Sequence, residues 1–477
     1  MQHIDWSKQV ESRKHMVIED TQKFLHIKSV LDEDDASADA PLGKGVKEAL
    51  EFMLQKGEAD GFTIKNVGNL AGHIEFGEGS ELVGILCHVD VVPEGDGWSS
   101  DPYGAEIRDG KIFARGAIDD KGPTIAAYYA MKIVKELGVP MNRRVRMIIG
   151  TDEESNWRCV EHYFKHEEMP TMGFAPDADF PIIHAEKGIA DFDLVQSPLA
   201  EQNNDFQVEV LTFQSGKRYN MVPDFAKAEL DALKDQTDII QCFNNYIRDN
   251  DLSGRQYVDG GRLVLELEGV SAHGMEPNKG KNAGIFLAKF LVKLKLNAQA
   301  QQYFQFVTSY FGNDSRGRAL GVQFRDDVSG ELTINVGKLH YTKESGGVLG
   351  LNLRYPVTQK IEDTKEKLEL FLQNKGFVID NFTNSNPHYV EASDPLIRTL
   401  QKVYEEQTGQ EAELLAIGGG TYARSLKSGV AFGPLFPGRE DIAHQRDEYI
   451  VIDDLLKATA IYAQAIYELA CVTDQKE

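Results

Sequence analysis

The chain has 477 residues, and its 51 Lys plus Arg stand against 75 Asp plus Glu, which gives a formal net charge of −24. This excess of acid argues against a nucleic-acid partner, because phosphate binding requires a net or local basic surface and no Lys/Arg run is longer than Arg143-Arg144. With 42% hydrophobic and 26% charged residues, the composition is that of a globular protein. At about 150 residues per domain, the length allows roughly three domain-sized units.

The sequence carries no signal for secretion or for a membrane. Residues 1–20 are polar and of mixed charge, without the apolar segment of a signal peptide, and no run approaches the ~18 apolar residues of a membrane span. The four cysteines lack the C-x-x-C spacing and fit neither a disulfide framework nor a thiolate zinc site. They are Cys87, Cys159, Cys242 and Cys471. We therefore expect a reduced, cytoplasmic protein with no membrane partner.

The first part of the chain predicts alternating strands and helices. Residues 82–87 and 145–149 are continuous apolar runs, typical of buried parallel strands. Between them, residues 123–137 carry apolar side chains at a spacing of four, and Gly138 marks the helix end. This pattern predicts an α/β catalytic domain with a mostly parallel sheet flanked by helices. Near the end of the chain, we expect strands at 414–417 and 430–432 and a last helix capped by Asp453.

The middle of the chain alternates strands with amphipathic helices in a different way. We predict strands at 263–267, 332–336 and 349–354, and helices near 283–294 and 360–372. This is an α+β pattern, typical of an antiparallel sheet with one solvated face. We therefore predict an inserted α+β lid domain at 187–386, which divides the catalytic domain into residues 1–186 and 387–477.

Possible metal ligands follow the predicted strands, where the ligands of open parallel sheets bind. Each residue alone is better explained as a turn former, a cap or a solvated surface residue. Together, adjacent carboxylates at the ends of buried strands repel one another, and a cation removes that repulsion. Imidazole plus carboxylate suits zinc, manganese or cobalt. The segments are His88-Val89-Asp90, Arg115 to Gly122 with Asp119-Asp120, Thr151 to Ser155 with Glu153-Glu154, Ala175-Pro176-Asp177, and Ala443 to Glu448 with His444.

This set of motifs resembles the two-metal aminoacylase/carboxypeptidase metallopeptidase family, and within it a PepV-like branch of bacterial dipeptidases. The motifs are His-x-Asp, Gly-x-x-Asp-Asp-Lys-Gly, Glu-Glu, Asp and a late His, and the resemblance extends to Ser271–Pro277 in the insert. It implies two divalent ions per chain, zinc in the first place with manganese or cobalt as alternatives. It also implies hydrolysis of unblocked dipeptides.

The resemblance also implies the role of each ligand. The residues alone do not decide between Asp119 and Asp120, whereas the family pattern selects Asp119, followed by a cis peptide bond. The implied ligands are Asp119 as the bridge between both ions, His88 and Asp177 for one ion, and Glu154 and His444 for the other.

Two further acids have implied catalytic roles. Asp90 accepts the second N–H of His88 and fixes its tautomer. Glu153 is the general base, which takes a proton from a bridging water activated by the two metals and passes it to the leaving amine.

Substrate contacts are implied in the insert and after the strand at 414–417. His273, between the small residues Ala272 and Gly274, is implied to stabilise the oxyanion, with Asn220 as a second polar contact. Arg354 is either a solvated strand residue or a residue whose guanidinium group binds the substrate carboxylate through two hydrogen bonds. Gly418, Gly419, Gly420 and Thr421 form either a plain turn or an anion-binding nest.

The insert of about 200 residues resembles the doubled lid of the PepV-like branch, in which one chain supplies the whole site. We therefore expect a monomer whose lid closes over a short substrate and selects by substrate length, so that dipeptides are preferred over longer peptides. Three alternatives remain: hydrolysis of N-acyl or N-succinyl amino acids, a catalytically silent metal-stabilised binding protein, and a two-metal phosphoesterase. The presence of Glu153 and His273 disfavours the binding protein, and the acidic composition disfavours the phosphoesterase.

Overall fold

The computed structural model describes residues 4–199, 206–232 and 236–471. The chain divides into two compact units. The first comprises Met1–Ala185, Tyr389–Ala416 and Gly420–Glu477, and the second comprises Glu186–His388 and Ile417–Gly419. The predicted insert, 187–386, did not include the short segment 417–419. Within the described ranges, no helix combines the length and the apolar character needed to cross a membrane.

The described helices and strands follow the chain in this order. The helices are α1 (Trp6–Glu11), α2 (Lys14–Leu25), α3 (Lys44–Ala59), α4 (Lys121–Leu137), α5 (Arg158–His166), α6 (Thr237–Asp249), α7 (Ala283–Leu291), α8 (Ala298–Phe311), α9 (Ile361–Leu372), α10 (Pro395–Thr408) and α11 (Ile452–Ala470). The strands are β1 (Thr63–Val67), β2 (Ala71–Phe76), β3 (Glu81–His88), β4 (Glu106–Arg108), β5 (Lys111–Phe113), β6 (Arg143–Gly150), β7 (Met172–Ala175), β8 (Ala178–Asp179), β9 (Ile182–Glu186), β10 (Gly188–Gln196), β11 (Val208–Ser215), β12 (Phe225–Ala232), β13 (Ser253–Asp259), β14 (Arg262–Glu268), β15 (Arg325–Asp326), β16 (Gly330–Glu331), β17 (Thr333–Thr342), β18 (Gly346–Tyr355), β19 (Phe377–Ser385), β20 (His388–Tyr389), β21 (Leu414–Ile417), β22 (Gly429–Ala431), β23 (Pro434–Leu435) and β24 (Tyr449–Val451).

The first unit is built on a nine-stranded sheet of order β1-β2-β6-β3-β7-β22-β9-β20, with β21 paired to β9. The middle strands β6, β3, β7 and β22 are parallel. The predicted strands 82–87 and 145–149 are therefore confirmed as the parallel neighbours β3 and β6. The pairs β1–β2, β2–β6 and β22–β9 are antiparallel.

The sheet is thus mixed, and the predicted mostly parallel arrangement holds only for its centre. The chain turns back between β1 and β2 within three residues that include Gly68 and Asn69, both in the left-handed region. So short a connection allows only an antiparallel pair. β1 is exposed at most positions, so it lacks the continuous apolar run from which buried strands are predicted.

Two long helices cover the centre of this sheet. α4 and α11 pack against each other and against strands β3 and β6. Gly138 ends α4 in the left-handed conformation, as its sequence position predicted. The predicted cap of α11 was wrong: the helix begins at Ile452, and the extended residue before it is Val451. Because β24 runs directly into the helix, Asp453 lies in the first turn, where a carboxylate still interacts favourably with the helix dipole.

The second unit contains an eight-stranded sheet of order β13-β14-β12-β11-β17-β18-β10-β19. Its recorded pairs are antiparallel. Helices α6 to α9 contribute to one hydrophobic core with the strands, through side chains such as Phe243, Leu287, Phe304 and Leu368. The predicted α+β pattern of the insert is therefore present.

The end of β6 provides a test of packing beside the sheet. A Cβ atom at Gly150 would lie 1.8 Å from the hydroxyl oxygen of Tyr422, which is itself 2.8 Å from the Cys159 sulfur. We expect Gly150→Ala to lower the free energy of unfolding by about 1–3 kcal/mol through overpacking, measured by urea denaturation. The same substitution in a Tyr422→Phe background should cost less, because the nearest atom is gone. Equal costs in both backgrounds would contradict this packing explanation.

Candidate metal centre and active site

The candidate site lies where the parallel strands of the first unit end. His88 is the last residue of β3, and the segments after β6 and β7 carry the neighbouring acids. Because these strands are parallel, their carboxyl ends meet at one edge of the sheet. The predicted metal ligands and the predicted base come together there: His88, Asp119, Glu153, Glu154, Asp177 and His444.

The carboxylate of Asp119 lies between two imidazole rings. Its Oδ1 atom is 3.0 Å from Nε2 of His88, and its Oδ2 atom is 2.9 Å from Nε2 of His444. Nε2 of His88 is also 3.5 Å from Oδ1 of Asp177, and Nε2 of His444 is 3.0 Å from Oε1 of Glu154. One oxygen of the Asp119 carboxylate therefore faces His88, which lies beside Asp177, and the other faces His444, which lies beside Glu154. This arrangement suits a carboxylate that bridges two cations.

The tautomer of His88 is set by its own loop. Nδ1 of His88 lies 3.0 Å from the main-chain carbonyl oxygen of Asp90 and 3.5 Å from a carboxylate oxygen of the same residue. Since a carbonyl oxygen only accepts, Nδ1 carries a proton, which leaves Nε2 as the ring atom that could bind a cation. The nearer acceptor is thus the carbonyl group of Asp90, rather than the carboxylate that the resemblance implies.

The carboxylate of Asp90 instead organises the segment after β6. Its two oxygens accept the main-chain N–H groups of Glu153 at 3.1 Å and Glu154 at 3.0 Å. This pair of hydrogen bonds fixes the main chain of the two adjacent acids. The Glu153 carboxylate lies within 4.8 Å of ligand atoms of His88 and Asp177, and the Glu154 carboxylate within 4.8 Å of ligand atoms of His88 and Asp119.

Asp120 has a role that the sequence did not indicate. The peptide bond between Asp119 and Asp120 is cis, as the resemblance implied. Asp120 is fully buried, and its Oδ2 atom accepts the main-chain N–H of His88 at 3.1 Å and the hydroxyl of Thr124 at 3.1 Å. It therefore supports the end of β3. The signal for this role is weak, because two adjacent acids look alike in a sequence.

Crowding of acids dominates the electrostatics of the site. Burial and the nearby charge of Asp177 raise the pKa of Glu153 well above its usual value. Burial and the charge of Asp119 raise the pKa of Glu154 to about 7, and burial raises the pKa of Asp177 to about 6. Hydrogen bonds to Asp119 and Glu154 raise the pKa of His444 to about 11. A site that stabilises positive charge so strongly, with imidazole and carboxylate donors at about 3 Å, fits divalent cations.

The second unit holds His273 in a defined tautomer. The main-chain N–H of Met275 donates to Nδ1 of His273 at 3.1 Å, so the neutral ring carries its proton on Nε2. The ring is exposed, yet partial desolvation by the surrounding protein and the charge of Arg354 lower its pKa. His273 is therefore a neutral N–H donor near neutral pH.

Asn220 is fixed beside the His273 loop. The main-chain N–H of Gly274 donates to the carbonyl oxygen of Asn220 at 2.7 Å, and a Cβ atom at position 274 would lie only 3.0 Å from that main chain. The side-chain amide of Asn335 donates to the carbonyl groups on both sides, those of Tyr219 at 2.7 Å and Met221 at 2.9 Å. The sequence did not single out Asn335, which has no neighbouring motif.

Arg354 is buried, with 4% of its surface exposed, which contradicts the solvated alternative. Nε donates to Oδ1 of Asn352 at 2.8 Å, and Nη1 donates to the carbonyl oxygen of Gly418 at 3.0 Å. The arginine therefore tethers segment 417–419 to β18 within the second unit.

The glycine segment is divided between the two units. Gly418 and Gly419 belong to the second unit, whereas Gly420 and Thr421 belong to the first. Thr421 caps a four-residue 3₁₀ helix (Tyr422–Ser425) by accepting the N–H of Ala423. The predicted anion-binding nest stays a prediction.

Comparisons with known proteins identify the family. Residues 84–468 match the model of peptidase family M20/M25/M40. Over 467 residues the chain is 56% identical to "Putative dipeptidase YtjP" of Bacillus subtilis, covering 98% of this chain and all of that protein. It is 48% identical over 469 residues to a "Putative dipeptidase" of Staphylococcus epidermidis, covering 98% and 100%. The chain belongs to peptidase family M20/M25/M40, a metal-dependent family, and is a metallopeptidase.

Solved structures support the fold at low sequence identity. The aminopeptidase PepT from Bacillus cereus aligns with a TM-score of 0.58 at 16% identity, over 96% of this chain and 98% of that one. Human carnosine dipeptidase 1 aligns with a TM-score of 0.55 at 14% identity, over 97% and 98%.

Proposed function

We propose that this chain is a dipeptidase that hydrolyses the peptide bond of unblocked dipeptides and holds two divalent metal ions. The observation that carries the proposal is the Asp119 carboxylate, whose two oxygens each face a histidine. The names of the full-length relatives support a dipeptide substrate. A carboxylate in this position, with further possible metal ligands on either side of it, supports a site shared by two cations.

Five residues form the proposed ligand set. Divalent ions held there would polarise the scissile carbonyl group and lower the pKa of water, their usual contributions to hydrolysis. Nε2 of His88 is available as a donor because its other nitrogen is hydrogen-bonded to the main chain. The proposed ligands are Asp119 for both ions, His88 and Asp177 for one, and Glu154 and His444 for the other.

Glu153 is the proposed general base. Its carboxylate lies within 4.8 Å of the ligand atoms of His88 and Asp177, and its main chain is anchored by Asp90. In this role it accepts a proton from the attacking water and donates it to the leaving amine. Asp90 acts through position alone, since it orients His88 and both adjacent acids.

Most of the proposed substrate groups belong to the second unit, whereas Gly420 and Thr421 belong to the first. His273 donates its Nε2–H to the developing oxyanion, a role that its fixed tautomer and lowered pKa support. Asn220 adds a second polar contact, and Arg354 with residues 418–421 binds the terminal carboxylate. Zinc suits the donor set, with manganese or cobalt as alternatives. A monomer and a cytoplasmic location remain predictions from the length of the insert and the scattered cysteines.

The first test is a substrate panel. Chelator-stripped protein should release no free amine from an unblocked dipeptide, and zinc or manganese should restore the release. The N-acetylated dipeptide and the matching tripeptide should be cleaved at least tenfold more slowly, because the proposed activity is on unblocked dipeptides and the proposed site binds the terminal carboxylate of a short substrate. Preferred cleavage of the acetylated compound would favour an N-acyl-amino-acid hydrolase instead.

The second test concerns the base. Glu153→Gln should lower kcat by about 10²–10⁴-fold, the usual contribution of a general base, while metal analysis still finds two ions per chain. The matched control is Glu161→Gln, the same chemical change at an exposed position of α5, which should leave kcat unchanged. A Glu153→Gln protein with normal turnover would refute the role, and one that loses an ion would make Glu153 a ligand.

The third test concerns the donor in the second unit. His273→Gln should lower kcat by about 10²–10³-fold, as expected for the loss of one oxyanion donor, with an unchanged free energy of unfolding and unchanged metal content. His340→Gln, at an exposed position of β17 in the same unit, serves as control. Equal kinetics of the two variants would exclude His273 from the reaction.

A further inference from the structure

A buried ion pair beside the site, Arg115 and Glu448, contacts the segments that carry two proposed ligands. We propose that this pair is a positioning device, which holds the main chain at Asp119 and at His444 so that both cations are bound tightly. The inference rests on the proposed two-ion site. It adds two residues that touch neither the ions nor the substrate.

The glutamate side of the pair holds the Asp119 segment. Arg115 and Glu448 are 1% and 0% exposed, and Nη1 of the guanidinium lies 2.6 Å from Oε2 of the carboxylate. The other oxygen, Oε1, accepts the main-chain N–H of Ile118 at 3.0 Å and that of Asp119 at 3.3 Å. One carboxylate thus connects the arginine with the main chain of the proposed bridging ligand.

The arginine side of the pair holds the His444 segment. Nη2 of Arg115 donates to the carbonyl oxygen of His444 at 3.3 Å and to that of Glu94 at 3.2 Å. His444 has a φ angle of +64°, which is uncommon for a residue other than glycine. The hydrogen bond therefore fixes a main-chain conformation that determines where the imidazole points.

Stability alone does not account for a charged pair in this place. A buried ion pair loses the hydration of both charges, and well-packed apolar side chains of similar volume are often equally or more stable. The polar atoms of this pair are important because they hydrogen-bond to the main chain at Asp119 and at His444. Each partner makes one contact to the other and at least one further contact to the main chain of a ligand-bearing segment. Such supporting groups commonly change metal affinity by 10–100-fold when mutated.

The test variants are Glu448→Gln and Arg115→Lys. The amide that Glu448→Gln introduces has one oxygen, so it cannot accept from both the guanidinium and the main-chain N–H groups, and the lysine of Arg115→Lys lacks the second arm that reaches His444. The matched controls are Glu75→Gln and Arg146→Lys. They alter another ion pair of the first unit, between β2 and β6, in which Arg146 is 5% exposed.

Chelator-stripped proteins are titrated with Co²⁺, and binding is followed by calorimetry and by the visible absorption of the bound metal. Thermal unfolding is measured in parallel. We expect both variants of the Arg115–Glu448 pair to bind Co²⁺ 10–100-fold more weakly than the unmodified chain. The controls should lower the melting temperature without weakening Co²⁺ binding. At saturating Co²⁺, KM for a dipeptide should stay unchanged while kcat falls.

Binding of Co²⁺ by Glu448→Gln and Arg115→Lys within twofold of the unmodified chain would overturn the inference and leave the proposed function intact. An equal loss in the control pair would also overturn it, because the effect would then be one of general stability. If the unmodified chain binds no Co²⁺ and no Zn²⁺, the two-ion site and this inference both fail. Should one variant not fold, the other decides, since each breaks a different arm of the pair.

Discussion

The candidate metal centre of the first unit depends on the placement of one carboxylate between two histidines. The two oxygens of Asp119 face His88 and His444, whose positions in the chain are separated by most of the sequence. His88 is fixed by its place at the end of a buried parallel strand. His444 lies on a loop without regular structure, so its position has to be secured by side chains. The sheet therefore supplies one half of the site, and a network of buried polar contacts supplies the other.

In each of these polar contacts, a buried acid is stabilised in the same way. An acid that loses its hydration must receive hydrogen bonds in return. Asp90 receives two from the segment of Glu153 and Glu154, Asp120 receives one from His88, and Glu448 receives those of the Asp119 segment. The donors in each case are main-chain N–H groups at or next to the proposed ligands and the proposed base. The acids outside the proposed ligand set thus fix the main chain of residues proposed as ligands or as the base.

The sequence predicted the parallel strands β3 and β6, the long helices α4 and α11 and the segments that meet at the site, because continuous apolar runs, helical spacing and ligand chemistry are local signals. It could not separate Asp119 from Asp120, since the two differ only in the direction of their side chains. The pairing of Arg115 with Glu448 bridges 333 positions, and no local pattern indicates such a contact. The burial of Arg354 was also missed, because strand alternation identifies a face but not what covers it.

The first unit also shows how the chain can accommodate the predicted insert. The chain leaves this unit after β9 and returns at β20, and the two strands are neighbours in the sheet. His184 and Val390 exchange hydrogen bonds there: the N–H of Val390 donates to the carbonyl oxygen of His184, and the imidazole lies 2.9 Å from the carbonyl oxygen of Val390. Because the exit and the return are adjacent, about 200 residues can be added with a closure entropy that grows only logarithmically with length. The parallel strands next to the proposed ligands therefore need not be rearranged to accommodate the insert.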